Sequence, residues 1–148
     1  MPRIGAGNVR ARGFTMIELM IVVAVLALIA LIVVPKMAKL IRKSNEAATR
    51  GHLGSVRSAI SLYYSGTEGL YPADFSIFTA PGSPYALDGP PKAYTAEHGT
   101  FSQVDTLTTP NPFDDVGRWG YVSGGESAGA FWVQCTHTDL SGKVWSRY

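Results

Sequence analysis

Few side chains in this 148-residue sequence have the type and spacing for chemistry. Cys135, His137 and Asp139 alternate along AFWVQCTHTD, and on a strand residues two apart point to one side. Thiol, imidazole and carboxylate all ligate metals. Three ligands on one strand are strained, however, and the sequence offers no second cluster, so the favoured reading is an ordinary strand with a buried thiol. His52, His98 and His137 are the three histidines, with no nucleophile elbow or Gly-rich phosphate loop to accompany them. Neither catalysis nor a cofactor is expected. Glu18 is different, being the one charge in FTMIELMIVVAVLALIALIVV. A carboxylate at bilayer depth costs about 2.5–3.5 kcal/mol even on lenient scales, so such a residue is functional by default.

The element that carries Glu18 is the apolar run Phe14–Val34, 21 residues long. As a helix it spans about 31 Å, close to the ~30 Å hydrocarbon core of a bilayer. Arg3, Arg10 and Arg12 precede it, and Lys36, Lys39, Arg42 and Lys43 follow, so flanking charge does not fix its orientation. The run exceeds a cleaved signal peptide's apolar core and lacks an A-x-A-like site, which favours an uncleaved anchor over a secretory signal. Charge is split along the chain. Residues 1–57 hold nine Lys/Arg against two acids, net +7, and residues 58–148 hold four against nine, net −5. The basic half is too apolar in its middle for a nucleic-acid arm, and the acidic half lacks a positive patch. A single cysteine, Cys135, excludes a disulfide within the chain.

The string RARGFTMIELM, with a glycine after the basic stretch, a phenylalanine opening the apolar run and a glutamate four residues on, resembles the class III signal of type IV prepilins and type II secretion pseudopilins. The resemblance implies cleavage after Gly13 by a prepilin peptidase and methylation of the new amino terminus at Phe14. The family's glutamate falls on Glu18 and its proline on Pro35. In the family an incoming subunit sets that glutamate against a neighbour's terminal amine, so Glu18 and Pro35 are the expected assembly residues. Phe14 and Glu18, four apart, share one helix face. Pro35 cannot bond the Leu31 carbonyl, which predicts a kink, or a melted stretch in a filament, over Leu31–Pro35. Major pseudopilins also carry a calcium site in a C-terminal loop. Asp114 and Asp115 in PNPFDDVGRWGY sit comparably, but their spacing does not carry that site over, and a solvated loop is the alternative.

Beyond Pro35 the pattern becomes one-sided. Leu53, Val56, Ile60 and Tyr63 recur at helical spacing, while Arg42, Lys43, Glu46, Arg50 and Arg57 take other positions. Ser65-Gly66, Gly69 and Pro72 close the helix. SLYYSGTEGLYP resembles the helix end of pseudopilins and short pilins through Tyr64, Gly69, Tyr71 and Pro72. Gly51 and Gly54 either permit close packing or are simply tolerated, and tolerance is favoured. Turn residues dominate 73–117, where only a short helical turn near Phe75–Phe78 is expected. RWGYVS, AFWVQCTHTD and VWSRY read as a three-strand antiparallel meander packing on the Leu53–Tyr63 face.

The expectation is an α+β, pilin-like fold, a long N-terminal helix whose first half is transmembrane, packed against a small C-terminal antiparallel sheet. Its parts are a leader (1–13), a transmembrane and assembly helix (14–35), an amphipathic continuation (36–65) and a loop and sheet domain (66–148). The helix face that has no partner within the chain argues for self-assembly. The resemblance implies a homo-oligomeric helical filament, built from an inner-membrane precursor by an assembly ATPase and platform machinery. Pilus subunit is the first reading, a major pseudopilin of a periplasmic pseudopilus the second, and a single-pass anchored binding or enzymatic domain a distant third.

Overall fold

The computed structural model describes residues 13–89, 91–111 and 114–148. Apart from Gly13, the expected leader lies outside these residues. Helix α1 spans Met16–Gly66 and contains Pro35. The helical assignment continues through Pro35, so the missing N–H removes one bond from the ladder without melting the turn. The chain divides into two compact units at Lys39–Leu40. In the first, every described residue is exposed, including all of its large apolar side chains.

In the second unit α1 buries a stripe formed by Glu46, Thr49, Leu53, Val56 and Ile60. The spacing of three and four residues continues one helix face for two turns N-terminal to Leu53. This corrects the sequence reading of Glu46, which was placed off the Leu53–Tyr63 face and is only 1% exposed. Its charge is met locally, Oε1 accepting from Arg42 Nε at 2.8 Å and Oε2 from the Leu140 N–H at 3.0 Å. The helix stops at Gly66, where the N–H of Gly69 (φ 97°) bonds the Tyr64 carbonyl at 2.9 Å. Positive φ there suits glycine. The Tyr64 and Tyr71 rings close over this turn, 4.6 Å apart.

The remaining elements are a 3₁₀ turn at Phe75–Phe78 and strands β1 (Ala93–Thr95), β2 (Gly99–Phe101), β3 (Val104–Leu107), β4 (Trp119–Val122) and β5 (Phe131–Val133). β1 and β2 form an antiparallel hairpin, and the second sheet has the order β3-β4-β5. The turn at Phe75–Phe78 is as expected, whereas the hairpin and β3 fall in the stretch read as irregular. The second sheet is mixed. β4 and β5 pair antiparallel with Tyr121 opposite Phe131, but the third strand is β3, parallel to β4 with Val104 opposite Trp119. The segment VWSRY, read as that third strand, instead makes one bridge (Val144 to Thr138) and a 3₁₀ turn over Trp145–Arg147. Trp145 is fully buried by this turn.

The core joins Leu53, Val56 and Ile60 to Phe75, Phe78, Trp119, Tyr121, Phe131, Val133, Cys135 and Trp145. The expected docking of the sheet on the Leu53–Tyr63 face is therefore observed, with Tyr63 only partly buried at its end. Phe131 stacks between Phe75 (5.3 Å) and Trp119 (4.9 Å). Burying these rings forces their polar ends to find partners. Trp119 Nε1 donates to the Pro91 carbonyl at 2.8 Å, and the Tyr121 hydroxyl donates to the Pro72 carbonyl at 2.6 Å. Both bonds tie loops without regular structure to the central strand.

Candidate functional site

The N-terminal segment starts from Thr15. Its side-chain oxygen accepts from the Glu18 N–H (3.3 Å), while Glu18 Oε2 accepts from the Thr15 N–H (2.9 Å) and hydroxyl (2.7 Å). This is a reciprocal capping box, in which two of the helix's orphan donors are satisfied without any other part of the chain. Thr15 was not singled out from the sequence, although the T-x-x-E pattern that signals such a box is present in TMIE. Glu18 therefore enters the apolar helix with local hydrogen bonds, and Phe14 stands just outside the box, 77% exposed. Gly13, Phe14, Glu18 and Pro35 all lie in the first unit. α1 is long and apolar enough to cross a membrane, and none of its most apolar stretch is buried within the chain.

In the second unit two arginines on the C-terminal half of α1 reach distant parts of the chain. Arg50 Nη1 donates to Asp139 Oδ2 at 2.8 Å, and Arg57 donates to the carbonyls of Phe131 (2.8 Å) and Tyr148 (2.5 Å). Asp139 also accepts from the Tyr148 hydroxyl (2.6 Å), the Ser141 hydroxyl and N–H, and the Lys143 N–H. Burial alone would raise its pKa, but these hydrogen bonds outweigh it and hold the carboxyl below its ordinary value. Asp139 is thus occupied by the fold and does not share a face with Cys135 and His137. The strand that would have aligned all three ends at Val133.

Cys135 and His137 nevertheless come together, Sγ lying 3.7 Å from Nδ1. Asp115 joins them, its Oδ1 at 3.3 Å from His137 Nδ1, 3.1 Å from His98 Nε2 and 2.9 Å from the Thr136 N–H that it accepts. The Thr136 N–H, aided by the two histidines, lowers the Asp115 carboxyl to about 2. Burial pushes the Cys135 thiol up to about 11. His98 is the member that sequence reasoning missed, since nothing in its spacing connects the β1–β2 turn to residues 115–137. Asp114, the other calcium candidate, is not a member of this group, and its N–H donates to the Asn111 carbonyl at 3.5 Å.

Residues 8–34 match the family described as "Prokaryotic N-terminal methylation motif". The chain is 28% identical over 142 residues to the type II secretion system core protein G of Pectobacterium carotovorum subsp. carotovorum, an alignment covering 78% of this chain and 88% of that protein. It is 38% identical over 63 residues to the fimbrial protein EcpC of Eikenella corrodens, covering 43% of this chain and 40% of the relative. It is 36% identical over 63 residues to the type IV major pilin protein PilA of Myxococcus xanthus, covering 43% of this chain and 29% of the relative. The chain thus aligns with less than half the length of these two relatives. No solved structure matches significantly.

These features define a class, that of proteins with a prepilin-type N-terminal methylation signal on a long apolar helix. Within it, the chain is similar to a type II secretion core protein and, over its N-terminal part, to type IV pilins.

Proposed function

We propose that the chain is the structural subunit of a type IV pilus filament. In this reading it is held in the inner membrane by α1, cut after Gly13 by a prepilin peptidase, methylated on Phe14 and polymerised by an assembly ATPase and its platform. The observation that carries the proposal is the wholly exposed apolar helix half that follows the signal. Lipid covers such a surface before assembly, and only other apolar helices cover it outside the membrane. Glu18 then pairs with the ammonium of a neighbouring Phe14, which sets the axial register of the filament. The work is mechanical rather than catalytic.

A second reading, a major pseudopilin of a type II secretion system, is favoured by one observation. The core protein G alignment runs through most of this chain, while the two pilin alignments cover 43% of it. Intact mass and N-terminal sequencing of sheared extracellular material test both. A chain starting at methylated Phe14 in long surface filaments is the expected result. The same chain confined to the cell envelope selects the pseudopilin, and an unprocessed chain in the membrane overturns both readings.

A further inference from the structure

His98, Asp115, Cys135 and His137 each direct one ligating atom into a common space, with all four atoms within 4.8 Å of one another. We propose that this cluster is a zinc site, a four-ligand Cys-His₂-Asp clip that fastens three separate segments of the second unit.

The distances suit the ion. Bonds of about 2.0–2.1 Å to nitrogen or oxygen and ~2.3 Å to sulfur make the edges of a tetrahedron with one sulfur roughly 3.3–3.6 Å long. Three of the six observed separations are 3.1 Å (His98–Asp115), 3.3 Å (His137–Asp115) and 3.7 Å (Cys135–His137), and the other three are within 4.8 Å, so small side-chain shifts close the site on an ion. The donor set is one thiolate, two imidazoles and one carboxylate oxygen. Calcium takes six to eight oxygens, so two nitrogens and a sulfur point instead to a borderline-soft divalent ion. Binding breaks the Cys135 S–H bond, forms the metal–sulfur bond and releases that proton to solvent.

The supports of the ligands are in place. Cys135 and His137 are fixed from behind, the Cys135 carbonyl accepting from the Ser146 N–H at 3.0 Å and the His137 carbonyl from the Trp145 N–H at 3.1 Å. Asp115 is anchored by the Thr136 N–H at 2.9 Å. His98 lies over Gly117, where a Cβ would come within 2.5 Å of the His98 Cβ. Gly117 (φ 72°) has its N–H on the Gln134 carbonyl at 2.7 Å, so the loop bearing Asp115 is tied to the segment bearing Cys135. Cys135 is buried on the inner side, and the partly exposed histidines and Asp115 leave the outer side open for the ion to reach it. With Cys135 the one cysteine in the chain, no disulfide can tie these segments, whereas a metal can.

The test is cobalt and zinc titration of the full processed chain, purified in detergent and stripped with a chelator. Stoichiometric Co²⁺ should give the visible bands of a tetrahedral ion with a thiolate charge-transfer band, and Zn²⁺ should displace it. Zinc should raise the melting temperature by at least about 5 °C, and calcium should not. Cys135→Ser should abolish the charge-transfer band. His98→Gln and His137→Gln should each weaken binding about tenfold or more, and His52→Gln should leave it unchanged. If Cys135→Ser fails to fold, His98→Gln, on a partly exposed side chain outside the core, decides the matter. Absence of the cobalt bands, an affinity unchanged by His98→Gln, or stabilisation by calcium in place of zinc would each overturn the site.

Discussion

Arg50 and Asp139 are 89 residues apart in sequence, yet their side chains meet at 2.8 Å, joining α1 to the loop before the Trp145 turn. The Asp139 side chain is fully buried and that of Arg50 is one-third exposed. Removing the acid strands more donors than removing the base strands acceptors, because Ser141, Lys143 and Tyr148 also donate to Asp139. Asp139→Ala should therefore destabilise the second unit by about 2–3 kcal/mol, and Arg50→Met by about 1–2 kcal/mol. Thermal melts of the two variants in one detergent check the order.

The same carboxyl sets an acid limit. Its pKa is held below the ordinary carboxylate value in the folded chain, so its contribution is fully present above about pH 4 and is lost as pH falls further. Between neutral pH and mildly acidic conditions this group should leave the melting temperature unchanged. Below about pH 4 the wild type should lose stability faster than Asp139→Asn, which has no such carboxyl to protonate. Parallel slopes would show that other groups control acid unfolding.

Glu18 and Thr15 separate two roles within one capping box. Thr15→Ala should weaken the first turn of α1 by about 1 kcal/mol while leaving the Glu18 charge in place, so filaments still form. Glu18→Leu should insert in the membrane and be processed, but surface filaments should fall at least about tenfold, as the loss of a charge-assisted contact implies. Electron microscopy with N-terminal sequencing reads both variants. Normal assembly of Glu18→Leu would show that Glu18 does not set the register of the filament.

Gly51 and Gly54 have nothing within 4 Å of the position a Cβ would take. In a single chain, each change to alanine should stabilise α1, by roughly 0.5–1 kcal/mol. Filament yield that rises or stays level with stability shows that these glycines are merely tolerated. More stable subunits that assemble poorly would mean that a neighbouring chain packs against the bare backbone there.

Gly117→Ala should act in the opposite direction. Its φ of 72° is unfavourable for an L side chain, and the added methyl would meet the His98 side chain. A loss of about 1–3 kcal/mol is expected, measured by thermal melting.

What could be read in the sequence was local. The apolar run and the three-and-four spacing of Leu53, Val56 and Ile60 are consequences of helical period alone, and the structure follows them. Glu46 was misplaced because its charge hid its position, seven residues before Leu53, on the same face. VWSRY has the residue types of a strand, but burial of Trp145 is achieved by a turn. β3 escaped notice because four residues, VDTL, gain their register only from β4, through a parallel pairing that no hairpin turn announces. The histidine cluster was half legible. Cys135 and His137 are two residues apart, but His98 lies 17 residues before Asp115, and only the folded hairpin brings that pair together.

On the proposed pilin reading, the Thr15–Glu18 capping box would also impose an order of events. A carboxylate that already holds an amide N–H and a hydroxyl exchanges them only for a stronger donor. In an uncut precursor the nitrogen of Phe14 would be a neutral amide and offer no advantage over Thr15. Once freed by the proposed cleavage it would be an ammonium, and the exchange would become favourable. The box would thus work as a safety catch, keeping precursors apart in the lipid until the peptidase has acted.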